Sequence, residues 1–248
     1  MNKKKLFAIA LVVLMIAITS FSSLAWFNGK DTVDNKFQIA DSDNDGLADF
    51  AIDVKEKQTD EDGNLIFDAN NEQVWTDEGN TYEDIMPGDK LNKYAVVKNT
   101  GAYDEWVRVN ITITDAEVWT KAIKKAIGND AATDLEIQAY IVTEMLAGFD
   151  ANLYEQTIIL TRDTTADTMM ITAYLDDVLE SGEEFVVMES FSIPGVLEQK
   201  DMVFGIGAEA SFTVSVRAEA VQVDNLGANS ASEAFTLARW EVGTNYGE

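Results

Sequence analysis

Residues 105–114, with the sequence E-W-V-R-V-N-I-T-I-T, decide the fold class of this chain. From Val107 onward every second side chain is apolar and β-branched, which is typical of a strand with one face in a core. The predicted core face consists of Val107, Val109, Ile111 and Ile113. The other face carries Arg108, and we expect this arginine and Arg217 at the surface or in ion pairs.

Similar short stretches lie on both sides of this strand and are separated by turn residues. Further strands are predicted at 33–39, 50–57, 65–67, 73–75, 90–97, 156–161, 168–175, 184–191 and 210–223, and residues 231–240 fit a helix or a strand. The turn candidates are Asp62-Gly63, Pro87-Gly88 and Pro194-Gly195. Proline fixes φ and glycine tolerates positive φ, so these pairs favour tight turns. The pattern predicts a mainly β domain, an antiparallel jelly roll or β-sandwich.

One region interrupts the β pattern with helical spacing. Asp115 can cap a helix that Gly128 ends, because the left-handed conformation at a helix C-terminus favours glycine. Thr133 and Glu136 have the spacing of a capping box at the start of a second helix. We therefore expect a short helical insertion over residues 115–149 that covers one end of the sandwich.

The composition limits both the partners and the chemistry. The chain has 248 residues, with 18 Lys and Arg against 44 Asp and Glu, so its formal net charge is -26. Such a polyanion repels nucleic acid, which excludes that class of partner. The chain has no histidine and no cysteine. Ser-His-Asp catalysis, thiol nucleophiles and histidine-ligated zinc are therefore excluded. Carboxylate-only chemistry remains open, but we predict a protein that is not an enzyme.

The N-terminus has the three parts of an export signal. Three lysines precede an uncharged, mostly apolar stretch at 6–21, and Ser23-Leu24-Ala25 supplies the small residues of a cleavage site. We predict a signal-peptide helix within residues 1–25, cleavage between Ala25 and Trp26, and secretion of residues 26–248 as one domain. The alternative is an uncleaved membrane anchor, although the apolar stretch is shorter than the roughly 20 residues that a spanning helix needs.

An acidic loop at 41–49 has the pattern D-x-D-x-D-G-x-x-D. Calcium prefers six to eight hard oxygen ligands, and aspartates at alternate positions of a turn can converge on one ion. A solvated acidic turn is the alternative interpretation. The predicted calcium ligands are Asp41, Asp43, Asp45, the carbonyl of Leu47, and Asp49.

Several blocks along the chain resemble the TasA/camelysin family. They are S-L-A-W-F-N at 23–28, N-K-F-Q-I-A at 35–40, I-M-P-G-D-K-L at 85–91, V-V-K-N-T-G-A-Y-D-E-W-V-R-V-N-I at 96–111, V-L-E-S-G-E at 178–183, F-S-I-P-G-V at 191–196 and R-A-E-A-V-Q-V-D-N at 217–225. The resemblance implies a jelly roll, processing by a SipW-type signal peptidase, and assembly into extracellular fibres in the biofilm matrix of Gram-positive bacteria.

With this resemblance comes a proposed mode of assembly, donation of residues 26–39 to a sheet of the next subunit. Backbone hydrogen bonds would hold the donated strand, and its apolar side chains would set the register. The residues expected to do this are Trp26, Phe27, Val33, Phe37 and Ile39. An ordinary first strand of its own domain is the alternative. Camelysin has been classed as a metallopeptidase, but the lack of histidine argues against a conventional zinc site here.

The sequence thus favours a secreted structural protein that polymerises with itself in a biofilm matrix or on a cell surface, with matrix or cell-wall components as further partners. One alternative is a monomeric calcium-dependent surface adhesin or binding module. A weaker one is a secreted, camelysin-like peptidase.

Overall fold

The computed structural model describes residues 37–39, 50–76, 79–82, 85–198, 201, 212–223 and 226–238. Within these residues the protein is mainly β, with all strands in two antiparallel sheets. The strands are β1 (Phe37–Ile39), β2 (Phe50–Lys57), β3 (Trp75–Thr76), β4 (Lys90–Asn99), β5 (Glu105–Thr114), β6 (Leu146–Ala147), β7 (Ile159–Asp163), β8 (Thr168–Tyr174), β9 (Glu184–Ser192) and β10 (Val214–Gln222). The predicted fold class is therefore confirmed as mainly β and antiparallel.

The first sheet has the strand order β1-β2-β4-β9-β6, and β3 pairs with the same edge of β2 as β1 does. The second sheet has the order β10-β5-β8-β7. Strands that are distant in sequence are neighbours in both sheets. Long-range pairs such as β5 with β10 therefore hold the chain together.

Both sheets contribute side chains to one hydrophobic core. The alternating residues of β5 predicted to face the core are all buried, with 0–1% of their surface exposed. They pack with Ile52, Val54 and Val97 of the first sheet in the same cluster. The opposite face of β5 is not open to solvent either, because Arg108 is only 1% exposed. Arg108 lies in a buried ion pair, which was one of its two predicted locations.

Helices occupy most of the region predicted as a helical insertion, although β6 also lies within its predicted bounds. Its helices are α1 (Ala116–Ile127) and α2 (Asp134–Tyr140), followed by a π-helical turn (Ile141–Met145). Gly128 takes a left-handed φ of 75° at the end of α1. The capping box of Thr133 and Glu136 is present at the start of α2. Later helices with described bounds include a 3₁₀ turn (Ala151–Leu153) and α3 (Ala231–Leu237).

The cap of α1 differs from the prediction. Asp115 adopts a left-handed conformation, with φ of 57°, and its side chain makes no capping hydrogen bond. Asp167 takes this role instead: its carboxylate accepts from the Glu117 N–H at 3.0 Å and its carbonyl from the Ala116 N–H at 3.0 Å. An acceptor 50 residues along the chain has no local sequence signal, so local spacing could not identify it.

Trp119 links α1 to the core. It is fully buried, and its ring meets those of Phe191 and Phe212 edge to face at 5.7 and 5.0 Å. Among the described helices, none combines the length and the apolar character needed to cross a bilayer.

Candidate functional site

The predicted donor segment is described only at its end. Phe37 and Ile39 lie in β1, where they stand opposite Ile52 and Phe50 of β2 in the same chain. The other residues predicted for strand donation and signal cleavage lie outside the described residues, namely Ala25, Trp26, Phe27 and Val33. The three described residues thus occupy an edge of their own sheet.

The outer edge of β2 is only partly covered by described strands. β1 pairs with its first part, residues 50–52, and β3 pairs with Glu56 and Lys57. Between them, no described strand stands opposite residues 53–55 on this edge. The edge therefore has a gap of three residues between two very short partner strands.

The direction of the backbone groups along β2 follows from the contacts of Ala51. Its N–H donates to the Glu105 carboxylate at 3.2 Å, and its carbonyl accepts from the N–H groups of Thr100 and Gly101. Ala51 thus points its backbone away from β1. Because backbone groups alternate along an antiparallel strand, those of Ile52 and Val54 point toward the outer edge.

The predicted calcium loop, Asp41 to Asp49, lies outside the described residues. Among the described side chains there is no group of three or more acids that could hold a metal ion. Asp60, an acid on the loop after β2, binds within its own turn: its carboxylate accepts from the Asn64 N–H at 2.7 Å, and this hydrogen bond lowers the pKa of Asp60.

A polar groove of about 470 Å³ opens on the loops that follow β2 and β3. Its lining consists of Gln58, Thr59, Asp60, Glu61, Asp62, Gly79, Asn80 and Thr81. Two of these residues, Thr59 and Asn80, are themselves buried, with 8% and 3% of their surface exposed. Asn80 also contacts a buried cluster of ionisable side chains behind the groove.

The first buried cluster consists of Glu56, Lys93 and Asn80, and we call it the lysine cluster. The Lys93 ammonium lies 2.6 Å from one oxygen of Glu56, and the Asn80 side-chain amide donates to the other oxygen at 3.3 Å. Glu56 is 0% exposed and Lys93 3%. Burial raises the pKa of Glu56 to about 8 and lowers the pKa of Lys93 well below its ordinary value. Both shifts favour the uncharged forms of the pair.

The amide of Asn80 is held on every side. Its oxygen accepts from the Thr59 N–H at 2.7 Å, and its nitrogen also donates to the carbonyl of Lys57 at 2.9 Å. Tyr82, which is 4% exposed, donates its hydroxyl to the carbonyl of Asn92 beside Lys93. The contacts with Thr59, Lys57 and Glu56 fix the orientation of the Asn80 amide.

The second buried cluster consists of Arg108, Glu219, Asn110 and Thr172, and we call it the arginine cluster. One oxygen of Glu219 accepts from the Arg108 Nε at 2.6 Å and lies 2.5 Å from its Nη2. The same oxygen accepts from the Asn110 amide at 2.9 Å. Thr172 donates its hydroxyl to the Asn110 oxygen at 2.8 Å, which completes the network across β10, β5 and β8.

Helix α3 closes the arginine cluster from outside. The Phe235 ring centre lies 4.5 Å from the Arg108 guanidinium carbon, and the Tyr174 ring centre lies 6.0 Å from it. The two rings meet edge to face at 5.8 Å. A guanidinium stacked on aromatic faces gains cation–π attraction, so Phe235 also stabilises the charge.

A third buried carboxyl, Glu105, lies at the start of β5 and is 0% exposed. Burial raises its pKa to about 8, and the N–H of Ala51 partly offsets this rise. Among the described side chains no cation pairs with it, and its Oε2 has no hydrogen-bond partner. Glu105 supports the stretch of β2 that β1 covers.

Both clusters were missed by the sequence analysis, although part of the signal was present. The alternation that buries Ile52 and Val54 also places Glu56 on the inner face of β2. A charge in such a position indicates a buried partner. The identity of that partner, 37 residues away on β4, depends on the strand pairing and could not be read from the sequence.

In comparisons with known proteins, no protein-family model, curated protein or solved structure matches this chain. The fold and the contacts above define its class as a mainly β protein of two antiparallel sheets with a shared core.

Proposed function

We propose that this chain is a secreted structural protein that forms extracellular fibres, in a biofilm matrix or on a cell surface, by head-to-tail strand donation. The export pattern at residues 1–25 and the resemblance to TasA/camelysin blocks support the proposal. A jelly-roll connection of the two sheets and a signal-peptide helix belong to the same proposal, as does the absence of enzymatic activity.

The outer edge of β2 is the observation that carries this proposal. β1 covers it with three residues, and residues 53–55 follow with no described partner strand before β3 begins. A strand from a neighbouring molecule in the register of β1 would extend over these three positions. It would pair with the backbone of Val54, which points to this edge. Edge strands of this kind are templates for strand addition.

Exchange of β1 between molecules needs little disruption. A three-residue strand makes few backbone hydrogen bonds, so its own pairing is a weak competitor for the same segment of another molecule. The donor segment and the acceptor edge are different surfaces, so the contact is heterologous and propagates into a chain.

The negative charge of the protein opposes this assembly, so assembly should depend on the ionic strength. Residues 26–248 carry 15 Lys and Arg against 44 Asp and Glu, because the three lysines of the export signal are removed, and the resulting net charge of -29 repels like molecules. Salt or divalent cations screen that repulsion. Calcium at Asp41 to Asp49 is part of the proposal and would act close to the donor strand. Calcium is expected to raise the melting temperature and to promote assembly, and the double variant Asp43→Ala, Asp45→Ala should lose both effects.

Electron microscopy of purified residues 26–248 tests the proposal. Fibres are expected at high protein concentration, and none from a chain that starts at residue 40. A synthetic peptide of residues 26–39 should bind the shortened chain and raise its melting temperature, whereas the same peptide with Phe37→Asp and Ile39→Asp should not. A mature chain that remains monomeric at high concentration and ionic strength contradicts strand donation.

The polar groove supports a second proposal, a monomeric surface binding module. Its lining offers carboxylates, amides and hydroxyls in one concave site, which suits a polar ligand such as a glycan. Glycan binding without polymer formation would favour this function over the first.

A further inference from the structure

We propose that the lysine cluster is a self-modification site, in which Lys93 and Asn80 become joined by an amide bond between their side chains. The reaction needs a buried amine, a carboxamide and a carboxyl group that contacts both. Glu56 makes these contacts, with one oxygen 2.6 Å from the Lys93 nitrogen and the other 3.3 Å from the Asn80 nitrogen. This inference does not depend on the proposed function.

Burial prepares the amine for attack. A charged ammonium is no nucleophile, but a lysine in a desolvated site becomes neutral and reactive. Lys93 and Glu56 are 3% and 0% exposed, and each has its charged form disfavoured by burial. The Glu56 carboxyl can therefore exchange one proton with Lys93 and leave a neutral amine beside the amide.

The contacts of Asn80 prepare the carbonyl. When Nζ attacks Cγ, negative charge develops on the Asn80 oxygen, and a preorganised N–H donor at that atom stabilises it. The Thr59 N–H already donates to this oxygen at 2.7 Å. The side-chain nitrogen is held by the Lys57 carbonyl and by Glu56, so the leaving group also has a fixed position.

The atoms balance without any co-reactant. The Lys93 Nζ forms a bond to the Asn80 Cγ, and the Glu56 carboxyl takes a proton from Nζ and delivers one to the Asn80 Nδ2. The bond from Cγ to Nδ2 then breaks, and ammonia leaves with both of its original protons and the delivered one. One amide replaces another, so no oxidant or reductant is required. The groove lined by Thr59 and Asn80 gives ammonia a path to solvent.

The product would tie the loop after β3 to the middle of β4. Residues 80–93 would become a closed ring, the counterpart of a disulfide in a chain that has no cysteine. The arginine cluster also pairs a glutamate with an asparagine, but it has a guanidinium group where the lysine cluster has an amine. Arginine stays protonated in proteins, so no bond is expected there.

The mass of the denatured, purified chain tests this proposal. The expected mass is lower than the sequence mass by one ammonia molecule. After trypsin digestion, the peptide 58–90 should be found joined to 91–98, because a modified Lys93 is no longer cleaved. A wild-type chain at its full sequence mass, with a separate unmodified peptide 58–90, would overturn the inference.

Matched variants separate this bond from other losses of ammonia. Lys93→Arg, Asn80→Ala and Glu56→Gln should each restore the full mass of the variant sequence, whereas Asn110→Ala in the arginine cluster should keep the loss. An asparagine that cyclises on its own backbone loses the same mass, but it would do so in Lys93→Arg as well. A loss that persists in Lys93→Arg therefore also overturns the proposal, and the wild-type digest gives its answer even if a variant fails to fold.

Discussion

The buried carboxyl groups of Glu56 and Glu219 have similar hydrogen-bond partners, but a covalent bond is expected in only one of the two clusters. In each cluster a glutamate inside the sandwich contacts a buried cationic side chain and one asparagine amide. Glu219 has a second cation as well, because the partly exposed Arg217 lies 3.4 Å from its other oxygen. The lysine cluster lies beside a polar groove, and the arginine cluster lies under the aromatic rings of Phe235 and Tyr174. The cation and the cover are what differ.

The difference shows how the choice of cation decides the role of a buried acid. Lysine can give up its proton when desolvated, and then it is an amine next to an amide. Arginine keeps its charge and offers a planar fork that binds the carboxylate through two nitrogens. We infer that the arginine cluster fixes the pairing of β10, β5 and β8, while the lysine cluster is suited to form a bond.

The largest expected effect is on the arginine cluster. Arg108→Met removes the buried cation that binds Glu219 through two nitrogens and leaves only the partly exposed Arg217, 3.4 Å from the other Glu219 oxygen. This should lower the free energy of unfolding by about 3–5 kcal/mol. The double variant Arg108→Met, Glu219→Leu removes both charges and should recover most of this loss. Chemical denaturation of the three proteins measures both quantities. Equal losses in the single and double variants would contradict the ion-pair account.

The same pair of substitutions in the lysine cluster sharpens the contrast. Lys93→Met with Glu56→Leu likewise replaces both buried ionisable side chains with apolar ones, but it removes the proposed bond as well. The free energy of unfolding should therefore stay lower by about 3 kcal/mol, the value expected for closing a ring of about this length. Recovery to wild-type stability, as predicted for the double variant of the arginine cluster, would show that the lysine cluster gains no stability from a covalent bond.

Glu105 extends the comparison to a buried carboxyl without a described cation. Its pKa in the folded protein is about 8, against an ordinary value of 4.5, so between these limits the folded state keeps a proton that the unfolded state loses. Stability from this group is therefore greatest below about pH 4.5 and falls as the pH rises toward 8.

Its contribution is expected to be about 2 kcal/mol between pH 5 and 8, after allowance for solvent screening. Glu105→Gln should flatten the pH profile of stability measured by chemical denaturation over this window. A variant whose profile has the same slope as the wild type would show that Glu105 does not carry the proton.

The smallest effect concerns the cover of the arginine cluster. Phe235→Leu keeps an apolar side chain over Arg108 but removes the aromatic face, which should cost about 1–2 kcal/mol. Because Leu237 of the same helix is 51% exposed, Leu237→Ala is a suitable control with a smaller expected effect. Equal small losses from both variants would argue against a contribution from the ring.

Much of the fold followed from local sequence signals. The period-two pattern of β5 gave both its bounds and its buried face, and β2 matches its predicted range from Phe50 to Lys57. Gly128 and the capping box at Thr133 were also predicted correctly, because these signals act within one turn of a helix.

The clusters were less accessible, because a sequence pattern shows which face a residue takes but not what lies opposite. Arg108 and Glu219 are 111 residues apart, and only the pairing of β5 with β10 brings them together. Asn80 lies in a loop without any periodicity, so its approach to Glu56 depends on the tertiary structure. The predicted calcium loop stays a prediction, since it lies outside the described residues.

Cysteine trapping tests strand donation most directly. Gln38 and Ala51 stand opposite each other in the β1–β2 register, at the spacing that a disulfide can bridge, and the chain has no other cysteine. Two single variants of the mature chain, Gln38→Cys and Ala51→Cys, would be mixed, assembled and oxidised. Disulfide-linked dimers from the mixture, and a ladder of polymers from the double variant, are the predicted results. No cross-link in the mixture, with only an internally bridged monomer from the double variant, would contradict donation and show that β1 stays in its own molecule.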